Sequence, residues 1–166
     1  MSSSSQLDAA EETTTCVIDL FSARDDQYRL CESHRILGDI RHSKEETEKA
    51  IHHFEVALGI ASSFGWQDAL FWVHYSLAWL FIDQDWFDDV QAHVERARSY
   101  TNNHAFYLGL AMQFQARLWY KRNRLEEARS EALRAVGVYE KLGATKDLKR
   151  CSGLFQQIEE EMTGWS

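Results

Sequence analysis

Three aromatic residues spaced by three and four positions, Trp72, Tyr75 and Trp79, form the most chemically specific feature of this chain. On a helix that spacing gathers the rings on one face, where rings of this kind anchor an apolar or amphipathic segment of a partner. The opposite face of the same segment is also apolar, with Val73, Leu77 and Leu80. A helix apolar all round is either buried on every side or displays a binding surface. The sequence leaves both readings open.

Polar residues elsewhere suggest further chemistry. Asp39, His42, Tyr75 and Arg117 are types that can edge an aromatic-walled pocket and move a proton. His42 is the preferred acid or base there, since an unperturbed imidazole titrates near pH ~6.5. This is the alternative to a protein-binding surface: a small-molecule-binding protein, or a small acid/base enzyme of cyclase or isomerase type. It rests on side-chain type alone, because no Gly-rich phosphate loop, nucleophile elbow or Cys/His pair is visible. Glu48, His52 and Glu55 share one helical face, and Asp39 and His42 another, but neither set forms a recognised ligand motif. No metal or other cofactor is expected. Asp83, Asp85, Asp88 and Asp89 read as a solvated turn, as no calcium-loop glycine follows them. Basic residues gather at Lys121, Arg122 and Arg124 and at Lys146, Lys149 and Arg150, near helix ends, where their usual role is solubility or dipole complementation.

Composition narrows the class of protein that presents these residues. The chain has 166 residues, a net charge of −8 and no proline. An acidic chain has no electrostatic reason to bind nucleic acid, and a chain without proline favours long helices over strands and turns. Its three cysteines, Cys16, Cys31 and Cys151, have no metal or redox spacing. They read as reduced thiols in a reducing interior, cytosolic or nuclear, and a cytoplasmic location is expected. The opening residues lack the basic-then-apolar order of a secretion signal. The most apolar run, Ala69 to Ile82, is fourteen residues long, short of the roughly 20 that a membrane helix needs. No membrane contact is expected.

Apolar residues recur at helical spacing almost without a break, and the fold is therefore all-α. Residues 1–8 read as a flexible tail, 9–25 as a leading helix or half-repeat, 26–143 as three helix pairs, and 144–166 as a C-terminal capping helix. The helices are predicted over about 9–21, 26–42, 44–64, 67–83, 86–100, 104–122, 124–142 and 146–162. Ser43 to Glu46 and Asn123 to Glu126 read as capping boxes, and Gly65 and Gly143 as C-terminal caps.

Self-comparison shows an internal repeat. His34-x2-Leu37-Gly38-x2-Arg41 is followed after eight residues by Ala50-x3-Phe54-x2-Ala57. The same spacing returns in His74, Leu77, Ala78, Phe81 with Val90, Val94, Ala97, and again in Met112, Gln115, Ala116, Trp119 with Ala128, Ala132, Ala135. The units are offset by 40 and then 38 residues. Small residues at fixed places let helix axes approach, and one helix pair cannot bury both faces alone.

This pattern, over about residues 31–142, resembles the tetratricopeptide repeat family. It is similar to the longer-repeat variants in regulatory ATPases and in helical arrays of fungal signalling proteins, since the family's usual period is ~34 residues. His34, Arg41 and Ser62 stand where the first unit of the family carries tryptophan, tyrosine and proline marks. The resemblance implies a superhelix of antiparallel helix pairs whose first helices line a concave face. The inward positions would be Arg35, Asp39 and His42; Trp72, Tyr75, Trp79 and Ile82; and Leu110, Gln113, Arg117 and Tyr120. Some family members hold a peptide's terminal carboxylate there. Asp39, Trp79, Leu110 and Phe114 replace the residues that would do so, and a different ligand is expected. The implied function is a non-catalytic scaffold for a protein or peptide, with self-association through an end helix as a further arrangement.

Overall fold

The computed structural model describes residues 3–164, and helices follow one another through all of them. They are α1 (Ser3–Ala23), α2 (Gln27–Ser43), α3 (Thr47–Phe64), α4 (Gln67–Asp83), α5 (Phe87–Ser99), α6 (Ala105–Lys121), α7 (Leu125–Leu142) and α8 (Thr145–Thr163). The fold is an all-α helical array, with no strand among the described residues. None of the described helices is long and apolar enough to cross a membrane.

One corner motif sets the rhythm of the array. Asp25, Glu45, Gly65, Asp85, Asn123 and Gly143 all have positive φ. At each, the next amide donates to the carbonyl five residues back: Asp26 to Phe21, Glu46 to Arg41, Trp66 to Ala61, Trp86 to Phe81, Arg124 to Trp119 and Ala144 to Tyr139. This is the Schellman closure, which satisfies carbonyls that a helix end leaves open. The corners fall at 25, 45, 65 and 85, and again at 123 and 143, so they stand 20 residues apart within each run. The junction between α5 and α6 differs, with Asn102 and Asn103 both left-handed. Position 103 lies 18 residues after 85 and 20 before 123, which accounts for the step of 38 after the step of 40.

Three sequence expectations change here. Ser43 is no helix cap: it closes α2, and its hydroxyl donates to the Asp39 carbonyl four residues back. Glu46 takes the N-cap place of α3 and Arg124 that of α7, neither with a side-chain bond, so no capping box forms. The backbone closure at the preceding corner already takes the N-cap amides, Glu46 to Arg41 and Arg124 to Trp119. The tail expected over 1–8 is helical from Ser3 onward, residues 1 and 2 lying outside the described residues. Asp8 and Glu11 on that helix both accept from Lys44 Nζ at 2.5 Å, and Arg41 pairs with Glu11 at 2.6 Å.

The chain divides into two compact units, Met1–Leu80 and Phe81–Ser166. Within the first, α2 and α4 touch through Tyr28 and Asp68 (2.8 Å) and through Ser76, whose hydroxyl donates to Asp39. Within the second, Arg98 of α5 reaches Glu131 of α7 at 3.1 Å, and Ala116 of α6 shares a cluster with Leu154 and Ile158 of α8. Within each unit, then, α2 meets α4, α5 meets α7 and α6 meets α8, each across one intervening helix. A helix pair that needs stacking on both sides shows this pattern.

Burial follows the repeat. Ala50, Val90 and Ala128 are buried, as are Phe54, Val94 and Ala132, and Ala57, Ala97 and Ala135. On the first helices Leu37, Leu77 and Gln115 are buried, and so are Gly38, Ala78 and Ala116. These equivalent positions are buried alike in the three units, whereas His34, Arg41 and Trp119 are only partly buried where His74, Met112 and Phe81 are buried.

Candidate functional site

In the first unit, α4 carries the aromatic stripe. Phe71, Val73, His74, Leu77 and Leu80 are buried, while Trp72, Tyr75 and Trp79 are only partly covered. Successive rings meet edge to face, Trp72–Tyr75 at 5.8 Å and 88° and Tyr75–Trp79 at 6.3 Å and 82°. Edge-to-face contact fixes each ring against the next. The stripe is a stiff row, and its residues share one helical face as the spacing predicts.

Arg35 and Asp39 lie on neighbouring α2. Arg35 is held between two carboxylates, Glu32 at 3.1 Å and Asp39 at 2.8 Å. Burial raises the Asp39 carboxyl above its ordinary value, while Arg35 and the Ser76 hydroxyl work against that shift. The Arg35 contacts stay within α2, and Asp39 joins that helix to α4 through Ser76. His42 ends the same helix and is partly buried. Tyr28 donates to Asp68, and this bond, with burial, pushes its hydroxyl up to about 12. Cys31 donates to the Ala57 carbonyl at 3.3 Å, and burial pushes its thiol up to about 11. Cys151 in the second unit is likewise raised to about 11 by burial. Neither thiol is ionised near neutral pH, which makes both poor nucleophiles.

In the second unit the expected inward positions separate. Gln113 is corrected from ligand contact to interior: it is buried, and its carbonyl oxygen accepts from Tyr139 Oη at 3.0 Å. Leu110 and Ile82 are buried apolar residues. Tyr120 packs against the α6–α7–α8 cluster, and a hydrogen bond to Glu161 raises its hydroxyl. Arg117 remains partly open and faces a shallow depression of about 480 Å³ with Lys146, Lys149, Arg150, Gly153, Leu154 and Gln157. The three α8 cations lie in the first two turns of that helix, where the macrodipole disfavours positive charge. Dipole complementation is therefore corrected. Their spacing of three and four was the available signal, but Arg117 joins them only through the fold.

In the acidic turn Asp85 pairs with Lys121 at 3.3 Å and Asp88 with Arg122 at 2.6 Å. Among the described residues no three His, Cys, Asp or Glu side chains stand close enough to share a metal ion.

One histidine pair escaped sequence reasoning. His34 and His53 bring their Nδ1 atoms to 3.2 Å across α2 and α3, and the His52 ring lies tilted at 60° beside His53, centroids 5.4 Å apart. Burial first, then the neighbouring imidazoles and Arg41, pull His53 down to about 4, with Glu11 opposing; burial also lowers His34. A histidine lowered in the fold binds its proton more readily when unfolded. Its contribution is therefore intact above the unfolded value near ~6.5 and is lost as pH falls toward that of the fold. Discounted for partial exposure, the loss between about pH 6.5 and 4 is expected to be about 1–2 kcal/mol. Urea unfolding across that range should show it, and His53→Gln should flatten the slope. An equal slope in His53→Gln would remove the pair as its source.

Compared with known proteins, the chain matches no protein-family model and no curated protein.

Proposed function

We propose that this chain is a non-catalytic scaffold of tetratricopeptide-like helix pairs that binds a protein or peptide along the Trp72–Tyr75–Trp79 face of α4. The observation that carries the reading is the stiff edge-to-face row itself, half-covered on a helix whose other face already supplies core. Pre-arranged aromatic rings lose little conformational freedom on binding, which is why such residues dominate interface energetics. An acid–base site draws no comparable support. Arg35 and Ser76 engage Asp39, and the two buried thiols are held protonated. Buried, unbridged cysteines suit a reducing, cytoplasmic setting.

The test starts from affinity capture to identify a partner, followed by direct titration of the purified pair. Tyr75→Ala with Trp79→Ala should weaken the Kd at least about 30-fold, the loss of one strong hot spot, while helical circular dichroism is retained. Undiminished affinity would reject the aromatic face. Collapse of the fold would assign the rings to the core instead.

A further inference from the structure

We infer that the paired imidazoles of His34 and His53 form an exchangeable site for Zn²⁺, closed between α2 and α3 by their two Nδ1 atoms. The site lies on other helices than the aromatic stripe and does not depend on what that stripe binds. The Nδ1 atoms stand 3.2 Å apart, with ring centroids at 5.4 Å and planes 31° from parallel. With zinc–imidazole bonds of about 2.0–2.1 Å, two nitrogens at the tetrahedral angle stand about 3.3 Å apart, and at a right angle about 2.9 Å. The observed span lies close to the tetrahedral value, so an ion enters with small rotations of the two rings. Copper(II) prefers the right angles of a tetragonal site, and Mg²⁺ and Ca²⁺ take oxygen ligands. The span and the donor atoms therefore select Zn²⁺.

The scaffold holds the two donors in place before any ion arrives. Gly38 lies one turn beyond His34, and a Cβ there would stand 2.5 Å from the ring of Phe54, the residue after His53. Cys31 on α2 donates to the Ala57 carbonyl of α3 at 3.3 Å. Donors fixed by packed helices need little reorganisation to ligate. In the free protein one ring donates its Nδ1 proton to the other. On binding, that proton passes to Nε2 of the same ring, each Nδ1 gives its lone pair to the ion, and two waters leave it. Both rings stay neutral, the form that ligates. Arg41, the cation that bears on His53, is held by Glu11 and Glu46 at 2.6 Å each. Among the described residues no third His, Cys, Asp or Glu completes the set, so two positions keep water. Structural zinc sites are closed by four protein ligands; a site with two fills and empties with the free ion. Both rings are only partly buried and His52 beside them is exposed, so the ion arrives from solvent.

The test is calorimetric titration of Zn²⁺ into the untagged full chain, stripped of metal, with Mg²⁺ present throughout. His34→Gln and His53→Gln should each weaken binding at least about tenfold, because the second imidazole turns a single contact into an intramolecular closure. His52→Gln should leave it unchanged, which separates the pair from the face that carries Glu48, His52 and Glu55. Zn²⁺ should also raise the unfolding temperature of the wild-type chain, since the site exists only where α2 and α3 are folded together. It should not raise that of His34→Gln. Long-range proton–nitrogen spectra of the unaltered chain give a reading that needs no variant: the Nδ1 resonances of two imidazoles should move together while their Nε2 atoms stay protonated. Unchanged affinity in His34→Gln or His53→Gln, an equal loss in His52→Gln, or a shift at Nε2 in place of Nδ1 would each overturn the inference.

Discussion

Tyr139→Ala should lower the unfolding free energy by about 3–5 kcal/mol, the range for removing a large ring from a packed core. Tyr139 is fully buried on α7 and packs with Met112, Ala135 and Cys151, Phe106 approaching at 6.2 Å. Its ring also lies against Gly109, where an added Cβ would stand 2.9 Å from Cε1. That close approach leaves little room for the surroundings to collapse into the cavity. The hydroxyl gives the test a second tier. Tyr139→Phe keeps the ring but strands the buried Gln113 oxygen, a loss of about 1–3 kcal/mol. Urea denaturation followed by circular dichroism measures both variants. If Tyr139→Ala cost less than Tyr139→Phe, the ring would not be the packing element described.

The same pair shows where sequence reasoning stops. Gln113 sits at an inward position of the repeat and carries an amide, so by type and spacing it reads as a ligand contact. Its partner is Tyr139, 26 residues away, and nothing local reveals that bond. The helices were legible because a residue that tolerates left-handed backbone, or a polar break, recurs near every corner. Gly65 and Gly143 announce themselves, and Asp25, Asp85 and Asn123 are types that visit this conformation more readily than most. Ser43 misled for a local reason: a hydroxyl near a helix end can cap the next helix or bond back to the carbonyl four residues earlier, and here it does the latter. The aromatic row was visible as a helical face, because i, i+3, i+7 geometry belongs to one helix. The His34–His53 pair and the basic depression were not, since each joins side chains from two helices.

Gly38→Ala and Gly59→Ala, the same chemical change on adjacent helices, should move stability in opposite directions. At Gly59 an added Cβ meets nothing within 4 Å, so the variant should gain about 0.5–1 kcal/mol from reduced backbone freedom. At Gly38 it would stand 2.5 and 2.6 Å from Phe54 ring carbons. Phe54 is fully buried and cannot swing into solvent. Overpacking of this kind costs about 1–3 kcal/mol, which should outweigh the propensity gain and leave a net loss of about 1–2 kcal/mol. The repeat supplies the reason. The aligned positions in the third unit are Ala116 and Ala132, both in one buried cluster, so a larger residue on the first helix accompanies a smaller one on the second. The first unit reaches the same fit with glycine against phenylalanine. Phe54→Leu should therefore relieve Gly38→Ala, and the double variant should be less destabilised than the sum of the singles. Thermal and urea unfolding of the four proteins complete the cycle. Strict additivity would show that the Gly38–Phe54 contact does not set the spacing of α2 and α3.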